Sequence, residues 1–272
     1  MNKIPIKINN VLNEYFALLD SNLPDLLDSF YLYGSISIGA YEEGTSDIDF
    51  FAVLNRSLSS EELSTLQKIH SEMGKAFPRP ILDGWYATKS DNQVFNQDDN
   101  PFLRFNEGRF LGVSRFNVNS VDAFQLSKYG ITVRGPSIKH LGLEVDMEIL
   151  MKNMVENLNT YWLNWLKNCR KFLSVTYIGT FVSLETIEWG VLGVSRLYYT
   201  LQEKDITSKI GAGEYALRNV PSKWHEIINE SMRQRTENTK SYYSSIFKRR
   251  KDFIEYIDFM IMEINRIYNE GK

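Results

Sequence analysis

The sequence predicts an α/β N-terminal domain, a mixed sheet with helices, followed by an all-α helical bundle. Three observations predict this. The 272 residues exceed one ordinary domain. Short apolar runs alternate with helix signals as far as about residue 88. Beyond about residue 144 the apolar spacing is helical almost throughout. The expected division is 1–144 and 145–272.

The elements follow in order. Ile8, Val11, Leu12, Tyr15, Phe16 and Leu19 recur at three- and four-residue spacing, an amphipathic opening helix. Phe30 to Tyr33 is a short apolar run halted by Gly34 and Ser35, and Ile48 to Leu54 is a second, so both read as strands. Ser59 or Ser60 followed by Glu61 and Glu62 starts a helix that runs to about Ala76, a capping hydroxyl with acids at the positive end of the dipole. Pro78 and Pro80 break the chain before a strand from Ile81 to Ala87. Asn92 to Asn106, with Asp98, Asp99, Asn100 and Pro101, reads as a loop over the sheet. A helix over about 120–129 precedes a Gly-Pro-containing connection between domains from Gly130 to Gly142.

In the second half, Met147, Leu150, Met151, Met154, Leu158, Tyr161, Trp162 and Trp165 form one stripe, read as core and not as a stacking platform. Helices are expected over about 182–201, 208–219, 223–232 and 242–268, with Pro221 between two of them. There is no internal repeat.

The net charge of −3 argues against a protein that wraps polyanionic nucleic acid and suits a cationic small substrate. One cysteine, Cys169, excludes an internal disulfide and reads as a buried apolar residue in a reducing compartment. No apolar run approaches about 18 residues, so no membrane span is expected, and the protein reads as cytoplasmic and monomeric. His70 on a surface helix, His140 and His225 show no zinc-site spacing.

Chemistry concentrates in Tyr33-Gly34-Ser35, an eleven-residue spacer, and Asp47-Ile48-Asp49-Phe50. Aspartates at i and i+2 on a strand share one face, so Asp47 and Asp49 can chelate a hard cation through oxygen while Ile48 packs behind them. Magnesium is the expected ion. Gly34 and Ser35 allow backbone amides and a hydroxyl close to phosphate oxygens, and Ser46 offers another hydroxyl. Asp83 supplies the third carboxylate of in-line nucleotidyl transfer, as metal ligand or as the group that takes the proton of an attacking hydroxyl.

This motif resembles the signature of the DNA polymerase beta-like nucleotidyltransferases. Arg79-Pro80-Ile81-Leu82-Asp83 is similar to the Arg-Pro-Leu-Glu segment of the bacterial aminoglycoside adenylyltransferases of the streptomycin and spectinomycin type, with Asp for Glu and one residue inserted. Val194-Ser195-Arg196-Leu197-Tyr198-Tyr199, Asp205-Ile206-Thr207-Ser208-Lys209 and Glu214-Tyr215-Ala216-Leu217 resemble that family's helical domain.

The resemblance implies AMP transfer from ATP to a hydroxyl of a cationic aminocyclitol in a cleft between domains. It makes Lys209 the lysine that reaches the ATP phosphates, and Glu185 and Glu188 acids for the cationic acceptor. Glu107 stands where the family often has Gly-Glu-Trp and is carried as an acceptor contact, without the aromatic residue. Two other readings remain open: the same fold modifying a protein partner, and a non-catalytic nucleotide-binding module.

Overall fold

The computed structural model describes residues 4–89, 95, 102–236, 238 and 240–271. The chain divides into two compact units, Met1–Asp146 and Met147–Lys272. The expected class is found: a six-stranded sheet with helices, then helices alone.

The first unit opens with α1 (Ile6–Asn22), β1 (Leu27–Leu32) and a single turn, α2 (Gly34–Ser37). β2 (Ile48–Leu54), α3 (Ser60–Ala76) and β3 (Leu82–Thr88) follow. The start of α3 is a complete capping box: the Ser59 hydroxyl accepts from the Glu62 amide, and the Glu62 carboxylate accepts from the Ser59 amide. β4 (Phe102–Asn106), β5 (Arg109–Ser114), α4 (Val121–Tyr129) and β6 (Ile131–Arg134) complete the unit.

The strand order is β5-β4-β3-β2-β1-β6, with β2 and β3 parallel and every other pair antiparallel. Period-two alternation sends Phe30, Leu32, Ile48, Phe50, Ala52 and Leu54 to the face covered by α1 and α3. Tyr31, Tyr33, Phe51, Val53, Trp85 and Ala87 face the other way, toward α4. Asp49 and Asp83 are in phase with this second set and lie at the entry ends of their strands.

Three expectations are corrected in this unit. Phe102 to Asn106 is a strand, while the polar part of the expected loop, including Asp98 to Pro101, lies outside the described residues. The connection from Gly130 to Gly142 contributes β6, paired with β1, and a 3-10 turn at Ile138–Leu141. His70 is buried on α3: its ring stacks on Phe105 at 4.0 Å between centroids, and its Nε2 lies 2.6 Å from the Tyr86 hydroxyl.

In the second unit α5 (Met147–Asn157) continues through a π turn at Leu158–Trp162 into α6 (Leu163–Arg170). Leu150, Met151, Met154, Leu158 and Trp162 of the predicted stripe are buried, whereas Tyr161 is exposed, as one extra residue in a π turn rotates the stripe off its 3.6 period. α7 (Val175–Val182) had no counterpart in the sequence reading. α8 (Leu184–Glu203) packs against α7, α9 (Lys209–Asn219), α10 (His225–Met232) and α11 (Ile246–Glu270). Cys169 is buried, and burial pushes its thiol up to about 12, so it stays protonated. No helix among the described residues is long and apolar enough to cross a membrane.

Candidate active site

β1 leaves the sheet at Leu32, opposite Phe50, and the chain turns sharply at Gly34. Gly34 has φ +65°, and a Cβ built on it would stand 1.8 Å from Oδ2 of Asp49. The residue is therefore glycine for two reasons, a left-handed backbone and the space taken by a carboxylate. The Tyr33 amide donates to the Asp49 carbonyl at 3.0 Å and keeps the turn against β2.

The parallel register places Asp49 directly beside Asp83. Asp47 precedes β2 by one residue, not inside the strand as expected, and the Arg79 guanidinium donates to its Oδ1 at 2.5 Å. Ser35 sits on α2, next to Gly34. The Ser46 hydroxyl accepts the Glu42 amide at 3.0 Å and closes the loop that leads into β2.

The support for Asp83 was not foreseen. β4 and β5 pair Asn106 with Arg109, leaving a two-residue turn, Glu107-Gly108, with φ +50° and +68°. Positive φ at both positions is the type I′ hairpin geometry. The Glu107 amide donates to Asp83 Oδ1 at 2.5 Å, and the Gly108 amide also bonds this carboxyl. Burial first, then the negative charge of Asp47, raises the Asp83 carboxyl to about 6 in spite of these two donors. The Glu107 side chain is exposed on the turn. A two-residue spacer ending in Gly between two aromatic-rich runs is the sequence signal that marks such a hairpin.

A hard divalent cation fits this donor set, which is carboxylate oxygen throughout, with the Asp49 carboxylate in the space a Gly34 side chain would fill. Among the described residues no three His, Cys, Asp or Glu side chains already converge as a metal cage, and Arg79 holds Asp47.

In the second unit Ser208 caps α9, accepting the Gly211 amide at 2.9 Å, and Lys209 is the first residue of that helix. Its ammonium donates to Glu188 Oε1 at 2.7 Å and lies 5.8 Å from the Trp189 ring centroid. Glu188, expected as an acid for the cationic acceptor, is instead buried on α8, and the same oxygen accepts from Arg235 Nε at 2.9 Å. Glu185 is exposed in the first turn of α8.

Residues 14–87 match the model of the nucleotidyltransferase domain, and residues 144–261 match that of the C-terminal domain of aminoglycoside adenylyltransferase. The chain belongs to the nucleotidyltransferase superfamily, with the C-terminal domain of the aminoglycoside adenylyltransferases. It is an enzyme of that class. The crystal structure of spectinomycin adenyltransferase AAD(9) from Enterococcus faecialis, with ATP and spectinomycin, is similar in fold, with TM-score 0.63 and 13% identity, covering 92% of this chain and 99% of that one. No curated protein matches the sequence. The nucleotidyltransferase match covers Gly34, Ser35, Ser46, Asp47, Asp49 and Asp83, and the C-terminal match covers Glu185, Glu188 and Lys209.

Proposed function

We propose that this enzyme transfers AMP from ATP to a hydroxyl of an aminoglycoside or aminocyclitol, and that magnesium is its metal. The observation that carries the reading is the parallel register of Asp49 with Asp83 beside the cradle left by Gly34, in a chain that also carries the aminoglycoside adenylyltransferase C-terminal domain. The structural neighbour, described with ATP and spectinomycin, supports the same pair of substrates.

Asp47 and Asp49, with Asp83 as third ligand, would hold magnesium, whose charge stabilises the phosphates during displacement. The backbone at Gly34 and the hydroxyls of Ser35 and Ser46 take phosphate oxygens, and Lys209 supplies a further cation for the triphosphate. Asp83, whose carboxyl is raised to about 6 in the metal-free protein, is the carboxylate placed to receive the proton of the acceptor hydroxyl. Glu185 is the exposed acid suited to an ammonium or guanidinium group of the acceptor, and Glu107 is a second. Glu188, already shared by two cations, holds Lys209 in place.

The test is transfer of label from α-labelled ATP in the presence of magnesium to spectinomycin, streptomycin or other aminocyclitols. Labelled acceptor that disappears in Asp49→Asn or with a chelator is expected. No transfer to any aminocyclitol removes the acceptor assignment, and label on a polypeptide instead favours a protein substrate.

A further inference from the structure

Arg79 stands in the bend between α3 and β3, with its side chain half exposed. Its only ion pair among the described residues is with Asp47, through one terminal nitrogen at 2.5 Å. A guanidinium carries five donors in a planar fork, so further N–H groups remain available for a second anion, and phosphate is the anion whose geometry that fork matches. Asp47 itself stands two residues from Asp49 and beside the register pair Asp49–Asp83. Asp47 acts on Asp83 as a like charge, and in the metal-free protein the cation on Asp47 is Arg79.

We propose that Arg79 is a tethered counter-ion that competes with the divalent cation for Asp47, and that the triphosphate releases this competition by taking the guanidinium. The nucleotide-free protein then binds its metal weakly. Metal and nucleotide load together, because each removes an obstacle to the other: the metal displaces Arg79 from Asp47, and the phosphates receive it. The inference rests on the reading of Asp47 as a metal ligand.

The experiment is a manganese titration of the full-length protein, with free Mn²⁺ followed by electron paramagnetic resonance, with and without the non-reactive analogue α,β-methylene-ATP. Without nucleotide, Arg79→Gln is expected to bind Mn²⁺ about threefold more tightly than wild type, the scale of losing an exposed ion pair. Arg79→Lys, which keeps the charge, stays close to wild type. Adding the analogue tightens Mn²⁺ binding more in wild type than in Arg79→Gln. Unchanged or weaker Mn²⁺ binding by a normally folded Arg79→Gln overturns the inference. Asp47→Asn separates the two levels: if it weakens Mn²⁺ binding while Arg79→Gln changes nothing, only the counter-ion role fails, and if it has no effect the metal assignment of Asp47 fails with it.

Discussion

Gly34 and Asp49 occupy one space: the Cβ that Gly34 lacks would overlap the carboxylate of Asp49, at 1.8 Å from its Oδ2. Gly34→Ala therefore either pushes Asp49 aside or forces the chain out of its left-handed turn. The backbone conformation alone costs about 1–2 kcal/mol for a residue with a side chain. Displacing a reacting group by about 1 Å costs on the order of 100-fold in rate. Transfer activity is expected to fall by at least about that factor, with a modest loss of melting temperature. Near-normal activity in Gly34→Ala would show that Asp49 does not need its present position.

Asp83 makes the rate depend on pH. Its carboxyl is raised to about 6 in the metal-free protein, so kcat/KM should rise with pH through that region if Asp83 takes the acceptor proton without ligating the metal, and the rise should move to lower pH if the metal binds it. The stability effect has the opposite sign. The unfolded carboxyl titrates near its usual value of about 4; the folded state therefore binds the proton more tightly, and this contribution is lost as pH rises from about 4 through 6. In the metal-free protein Asp83→Asn should melt higher than wild type at pH 7, with the gap closing toward pH 4. Asparagine can still accept the Glu107 amide, so the hairpin support survives the change. A flat difference between the two melting curves would place the Asp83 carboxyl elsewhere.

Glu188 and Glu185 separate structure from recognition, although they lie one helical turn apart on α8. Glu188 is buried and accepts from both Lys209 and Arg235, and removing one partner of a buried ion pair costs about 3–5 kcal/mol. Glu188→Gln should unfold several degrees earlier and raise the KM for ATP by freeing Lys209. Glu185→Gln, at an exposed position, should change stability by less than about 0.5 kcal/mol and raise the KM for the acceptor alone. The reverse assignment of the two effects would show that Glu188 meets the acceptor.

The fold class, most helices and the strands β1, β2 and β3 were legible because each rests on local spacing: a glycine after a strand, apolar residues at i and i+2, a capping serine. What escaped depends on partners distant in sequence. β6 is short and flanked by glycine and proline, and it is a strand because Phe30 and its neighbours offer an edge. Glu188 reads like any helical acid until α9 and Arg235 come to it. His70 has surface-like neighbours in sequence, Lys68, Ser71 and Glu72, and is buried because Phe105 and Tyr86 close over its side of α3.

That burial sets a second pH dependence, distinct from the one at Asp83. Desolvation lowers the His70 ring to about 3, so it is neutral in the folded protein and charges only on unfolding or at strongly acidic pH. An unfolded histidine titrates near 6.5. The depressed value contributes stability above that pH, which drains away as pH falls from about 6.5 toward 3. His70→Phe keeps the stacked ring against Phe105 and removes the titration, while the Tyr86 hydroxyl retains Tyr15 at 2.6 Å. Wild type should therefore lose more melting temperature than His70→Phe between pH 7 and pH 5, measured by differential scanning calorimetry in the same buffers. Parallel curves for the two proteins over that interval would mean that His70 titrates normally and is reached by water.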